Sequence, residues 1–263
     1  FKNIRLGFFD FINAIKMIRF WSYFAFHDVR MRYQRSVLGP FWITLSTLIM
    51  IVALSFLYSS LLGEEMADYV PYIGLGIIFW YFISITVNES CMCFIDYDEL
   101  MKQINVPIFT YIFRVVTRNF IVLLHNLILL IPLYLFSNLS FSFLSIFFFI
   151  VNLFLVGLVF TFLGIILGIL SSRYRDVPPT ITNVTQVLFF LTPVLWMPSS
   201  IEGRKLTILF LDLNPFNHIL KSIRDPFLVS QFFNVEIIIL VLVLSVFAFF
   251  LVGKYSKRIV MWV

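Results

Sequence analysis

The stretch NFIVLLHNLILLIPLYLFSNLSFSFLSIFFFIVNLFLVGLVFTFLGIILGILSS, residues 119–172, runs for 54 positions without an Asp, Glu, Lys or Arg. A charge buried in hydrocarbon is so costly that soluble domains rarely sustain such a run. A helix of about 20 apolar residues crosses the hydrocarbon core, so the stretch holds two crossings. The polar cluster Ser137-Asn138-Leu139-Ser140 marks the turn between them. Working outward, Phe41 to Leu62 is also free of charge. The pattern predicts six spans, at roughly 41–62, 70–90, 113–136, 143–170, 180–197 and 236–253.

The composition agrees. Of the 263 residues, 61% are hydrophobic and 13% charged, against about 25% charged in soluble domains. No Gly/Ser-rich or Pro-rich linker, low-complexity tract or internal repeat interrupts the chain. It therefore reads as one membrane domain: an interfacial segment at 1–40, a six-span bundle at 41–253 and a tail at 254–263. Cys91 and Cys93, one residue apart, would point in different directions on a helix, which argues against a disulfide framework. The first residue is Phe1 rather than Met, so an initiator or short leader is expected to be missing. The first 40 residues carry charge throughout, so no cleavable signal is expected and the first span would direct insertion.

Orientation follows from the basic residues. Lys2, Arg5, Lys16, Arg19, Arg30, Arg32 and Arg35 precede the first span, whereas the loop after it holds Glu64, Glu65 and Asp68. Lys102, Arg114 and Arg118 follow the second span, Arg173 and Arg175 the fourth, and Lys254, Lys257 and Arg258 the last. This alternation puts both termini in the cytoplasm. The segment 198–235, with Arg204, Lys205, Lys221 and Arg224, runs against it, though Glu202, Asp212 and Asp225 accompany them. The net charge of +5 is mostly this inside bias, suited to anionic lipid headgroups. Its spread over several segments argues against nucleic acid.

Two segments are not simple spans. In residues 4–20, Phe8, Phe11, Ile12, Ile15 and Ile18 recur at helical spacing with Asp10, Asn13 and Lys16 opposite, as in an interfacial helix. It is either a surface anchor alone or one that also touches a cytoplasmic subunit. Segment 198–235 holds apolar pieces too short to span, 206–211 and 227–233, punctuated by Asn214-Pro215 and Asp225-Pro226. These suggest helices that dip into the outer leaflet and return, or else a lid on the outer surface.

Familiar chemistry is missing. Gly253-Lys254 is followed by Tyr255 and lacks the glycine-rich phosphate loop, and Gly74-Leu75-Gly76 sits inside a span, where close helix packing explains it. His27, His125 and His218 lie on separate segments, so no metal site is expected. Intramembrane polar residues are few: Glu89, Arg114, Arg118, His125 and Asn126. Glu89 is expected to pair with one of the arginines at the inner leaflet. Such scarcity disfavours an ion-coupled carrier, which needs a relay of titratable groups. The chain thus reads as a membrane component without an energy source of its own.

Several motifs then converge: Asp28-Val-Arg-Met-Arg-Tyr-Gln-Arg-Ser-Val-Leu-Gly-Pro-Phe-Trp42 before the first span, Asp98-Glu-Leu-Met-Lys-Gln-Ile-Asn-Val-Pro107 after the second, Ser172-Arg-Tyr-Arg-Asp-Val177 after the fourth, Thr192-Pro-Val-Leu-Trp196 ending the fifth, and Asn214-Pro215-Phe216 with Arg224 beyond it. In order and spacing they resemble the membrane subunit of ABC exporters for O-antigen, capsular polysaccharide and teichoic acid. One departure is Met101-Lys102, where the family often carries two basic residues.

The resemblance implies an all-α, multi-pass protein of the bacterial inner membrane with six transmembrane helices, an N-terminal interfacial helix and short re-entrant outer helices between spans five and six. It implies a homodimer, two cytoplasmic ABC ATPase subunits that bind ATP and magnesium in place of this chain, and export of a lipid-linked glycan. ATPase contacts would be Asp96, Asp98, Glu99, Leu100 and Lys102, on a coupling helix at 95–105, with Arg173, Arg175 and Asp176. Asn214, Pro215 and Arg224 would belong to an outer gate. Aromatic rings stack on the apolar faces of sugars without gripping any one hydroxyl pattern. Tyr58, Phe79, Trp80, Tyr81, Phe82, Phe189, Phe190 and Trp196 are therefore candidates for a glycan path, or else for lipid-facing packing. Alternatives are a teichoic acid, drug or lipid cargo, a passive channel, or a membrane-embedded transferase using His125 and Glu89.

Overall fold

The computed structural model describes residues 2–34, 36, 37, 39, 41–62, 65–135, 142–198, 211–228 and 234–263. The regular elements among them are helical: α1 (Lys2–Lys16), α2 (Ile18–Arg32), α3 (Phe41–Leu62), α4 (Met66–Met92), α5 (Asp98–Gln103), α6 (Phe109–Asn126), α7 (Leu130–Leu135), α8 (Phe143–Arg173), α9 (Val177–Leu191), α10 (Pro215–Leu228) and α11 (Val235–Trp262). A 3₁₀ turn, Leu127–Leu129, joins α6 to α7. The cause lies in Pro132, which offers no N–H to the Ile128 carbonyl and crowds it.

Among the described residues, five helical stretches are long and apolar enough to cross a membrane: Phe41–Leu61, Met66–Met92, Phe109–Leu135, Phe143–Arg173 and Val235–Trp262. The expected fifth crossing at 180–197 is the exception. Its helix, α9, is 15 residues, about 22 Å long at 1.5 Å per residue. It stops at Thr192, whose ψ of 140° is the extended conformation imposed on a residue before proline. The stretch 180–197 is thus a short apolar helix followed by an irregular segment and, by length, does not join the five full-length stretches. The expected turn at 137–140 lies outside the described residues, as does the apolar piece 206–211 up to its last residue, and 227–233 is described only to Leu228. What is seen between α9 and α11 is α10, with a buried face carrying Ile219, Leu220, Ile223 and Phe227. Of the gate helices expected there, only α10 falls within the described residues, and it is packed on the bundle rather than lying apart from it.

Helix α4 is the centre: 78% of its apolar window is buried, against 22% for α3 and 17% for α11. It packs against α3, α6, α8, α9 and α10. Gly74 and Gly76 do provide close packing, against Leu133 and the Val194 carbonyl. The expected interfacial helix is two helices, α1 and α2, joined at Met17, where Trp21 Nε1 donates to Ala14 O at 3.0 Å. Helix α1 lies along α11, and α2 along α6. Phe11 inserts among Phe109, Phe113, Phe162 and Phe249. Asp10, expected on the polar side, is turned inward. Its carboxylate accepts from the backbone N–H groups of Ile108 (3.1 Å) and Phe109 (3.0 Å) and so caps the start of α6. α1, α2, α5, the turn after α8 and the last turns of α11 therefore share one end of the bundle.

Candidate functional site

At that end five charged residues from three helices, α2, α4 and α6, form one network. Arg114 donates to Asp28 twice, Nε to Oδ2 at 2.7 Å and Nη2 to Oδ1 at 2.6 Å. This is the planar two-point pairing a guanidinium makes with a carboxylate. Arg118 donates to Glu89 at 2.7 Å, to the Tyr97 hydroxyl at 3.0 Å and to Asp28 at 3.4 Å. Arg32 donates to the other Glu89 oxygen at 2.6 Å. Tyr97 donates to Asp28 at 3.1 Å, and the Arg114 guanidinium lies 3.9 Å above its ring. Burial pushes the Asp28 carboxyl up, but Arg114, Tyr97 and Arg118 outweigh it and hold the group below its ordinary value. Burial pushes the Tyr97 hydroxyl up to about 12, so it stays protonated as a donor.

The expected inner-leaflet pair is thus resolved: Arg118 is the partner of Glu89, while Arg114 holds Asp28. Sequence reasoning missed Asp28, Arg32 and Tyr97 as partners. Asp28 and Arg32 stand four apart on α2 and would read as a pair within the helix, yet the fold sends each to a different helix. His125 makes its contact within its own helix, Nδ1 lying 2.7 Å from Ile121 O, and its ring meets Phe41 edge-on.

The expected docking residues lie beside the network. α5 is anchored by buried Met101, with Leu100 half-buried and Glu99 and Lys102 exposed. Asp98 accepts from Lys102 Nζ at 3.1 Å and from Glu99 N–H at 2.7 Å. The Lys102 hydrogen bond, then the Glu99 N–H, holds the Asp98 carboxyl below its usual value. Asp96 lies in the turn before α5 and is exposed, as are Arg173, Arg175 and Asp176. Tyr97, one residue before α5, belongs to the network. Asp10 caps the helix that begins six residues after α5. Helix α5 is therefore tied to the bundle on both flanks.

The aromatic candidates divide by helix face. A cavity of about 450 Å³ opens between α3, α4 and α9, lined by Trp42, Met50, Trp80, Tyr81 and Phe189 among others. Trp80 lies against Phe189, ring centroids 5.8 Å apart. Phe79 and Phe82 point away from it, into the chain's own core against Phe149, Phe120 and Phe160. Tyr58 is half-buried, Phe190 is exposed on α9, and Trp196 folds back to donate to Phe190 O at 3.0 Å. At 3.6 residues per turn, Ile77, Trp80, Tyr81 and Ser84 share one face of α4 while Phe79 and Phe82 share another. Below the cavity Asn88 ties α4 to α9: its Oδ1 accepts from Thr182 at 2.8 Å and its Nδ2 donates to Thr185 at 3.3 Å.

At the opposite end the expected gate residues hold the break after α9. Non-helical backbone at membrane depth needs partners from the protein. Pro193 O accepts from Arg224 Nη1 at 2.7 Å and from the Tyr72 hydroxyl at 2.9 Å, and Leu195 O accepts from the Tyr69 hydroxyl. Asn214 donates to the Thr192 hydroxyl at 2.9 Å, and Arg224 stacks 4.3 Å from the Tyr72 ring. Pro215 is the first residue of α10, where a missing N–H costs nothing. Tyr69 and Tyr72 were not legible as partners. Arg224→Met is expected to destabilise the detergent-solubilised protein by about 1.5–3 kcal/mol, the worth of a charged hydrogen bond, measured as a lower unfolding temperature.

Residues 21–228 match the model of a family described as ABC-2 type transporter. Over 205 residues the chain is 25% identical to "O-antigen export system permease protein RfbA" of Myxococcus xanthus, an alignment covering 76% of each chain.

Proposed function

We propose, from the premise that this chain belongs to the ABC-2 type transporter family, that it is the permease half of an ATP-driven exporter of a lipid-linked polysaccharide. It is a multi-pass membrane protein, and its family implies a separate ABC ATPase subunit as partner. The observation that carries the cargo is the alignment with an O-antigen export permease over 76% of the chain. O-antigen or capsule is the reading we adopt, with ATP and magnesium bound by the partner.

Two copies of the chain would face each other across the cavity side of α3 and α9. Support comes from the exposed apolar residues there, including Val52, Phe56, Val187 and Phe190, and from the aromatic lining of the cavity. A ring-lined path lets a chain of sugars slide without fixing it at one hydroxyl pattern. The ATPase would grip α5 and the turn at Arg173–Asp176. Its closure on ATP would move α5. The Tyr97–Arg118–Glu89 bonds would carry that motion to α4, and the Asp10 cap would carry it to α6.

The test is charge reversal at α5. In Asp98→Lys/Glu99→Lys the ATPase subunit is expected to co-purify at less than a tenth of the wild-type amount, and vesicles holding both subunits lose ATP-dependent glycan uptake. Undiminished recovery would remove α5 from the docking surface. Uptake by the permease alone, without ATPase, would overturn the exporter reading.

A further inference from the structure

Helix α11 is 28 residues long, about 42 Å, more than a bilayer core requires. Its last turns carry Lys254, Lys257 and Arg258, and residues 237–263 hold no acidic side chain. Lys254 lies over the Phe250 and Tyr255 rings at 5.6 and 5.0 Å, the posture of a lysine lifting its charge to a headgroup. Seven residues on, about 10 Å farther along the axis, Met261 is 73% exposed. This end packs against α5. It is also clasped by Arg173, whose guanidinium lies 5.4 Å from both the Trp262 and the Tyr174 rings. Met261, Tyr174 and Ile104 are each exposed, and Met261 stands one turn beyond the cations Lys257 and Arg258 on the same helix.

We propose that the last two turns of α11 are a third element of the ATPase docking surface, with Trp262 as a positioning residue for Arg173. This rests on the docking reading above. Continuity chooses the occupant: α11 adjoins both α5 and the Arg173 turn, so a subunit gripping both also meets the exposed end of α11 at Met261. The complementary patch on that subunit is a small apolar hollow with an acidic rim. Anionic lipid is the rival for the two cations, but an exposed methionine beyond the headgroup lysine gains nothing from a headgroup.

The experiment places a photo-crosslinking phenylalanine analogue at Met261, at Glu99 on α5 and at Val246 at mid-depth of α11, in the full complex in membranes. Adducts to the ATPase are expected from 261 and 99, and lipid adducts alone from 246. ATPase adducts from 99 with only lipid adducts from 261 would overturn this proposal and leave the docking reading standing. No ATPase adduct from either site would remove both. Trp262→Ala is expected to weaken ATPase affinity about two- to five-fold, the worth of an exposed cation–π contact, and Trp262→Phe to restore most of it. Unchanged affinity in Trp262→Ala would overturn the positioning role.

Discussion

Gly7→Leu is expected to detach α1 from the bundle. A Cβ at Gly7 would lie 2.1 Å from the Phe249 carbonyl oxygen, and one at Gly253 would lie 1.9 Å from the Asn3 carbonyl oxygen. Both obstacles are backbone, so no side chain can swing aside. The two glycines are reciprocal: each helix offers one to the other's main chain, as small residues do where helices meet closely in membranes. Overpacking costs about 1–3 kcal/mol and more where backbone blocks relaxation. Separation would also break the Phe11 cluster against Phe109, Phe162 and Phe249. The expected result, read as thermal unfolding in detergent, is a fall of roughly 6–12 °C for about 3 kcal/mol, with Gly253→Leu behaving alike. Gly39 is the contrast. Its φ of 57° favours glycine, but a Cβ there meets nothing within 4 Å. Gly39→Ala should cost only the left-handed strain, about 1–2 kcal/mol.

Asp28→Ala is the second large effect. It leaves the Arg114 fork without its two acceptors, takes one from Arg118, and removes the acceptor of the Tyr97 hydroxyl. Breaking a buried pair by deleting one partner costs about 3–5 kcal/mol. Asp28 keeps 15% side-chain exposure, which puts the loss near the lower figure. A double-mutant cycle with Arg114→Ala should return a coupling several times that of Asp98 with Lys102, an exposed pair that solvent screens. The carboxyl of Asp28 is held below its ordinary value of 3.8. Its stabilisation is therefore complete above that pH and is lost as pH falls through the lower folded-state value. Asp28→Asn should flatten the acid limb of the stability profile below about pH 4. An unaltered acid limb would show that Arg114 and Asp28 contribute nothing as an ion pair.

Much of the path from Asp28 to α5 was visible as residues and invisible as contacts. Arg114, Arg118 and Glu89 stood out because charges inside apolar helices are rare, and one predicted pairing formed. Asp28 looked like part of a basic, surface-bound stretch, and Asp10 like the wet side of an interfacial helix. Both are instead turned onto α6. An amphipathic period shows that a helix has two faces. It does not show which neighbour lies against the polar one. The aromatic candidates failed in a related way. Phe79-Trp80-Tyr81-Phe82 reads as one aromatic run, but successive residues on a helix point about 100° apart. Only the middle two reach the cavity.

Sequence alone determined the solvent, the helical class and the placing of most apolar crossings, because the cost of charge in hydrocarbon is local and additive along the chain. It also located α5 as a charged turn between two spans. Tertiary structure decided the rest. It joined Asp28 to Arg114 and Glu89 to Arg118 across gaps of 86 and 29 residues, laid α1 on α11, and satisfied the broken backbone at 193–195 with Tyr69, Tyr72 and Arg224. Those pairings depend on which helix faces meet, and that choice belongs to the packing of all the helices together.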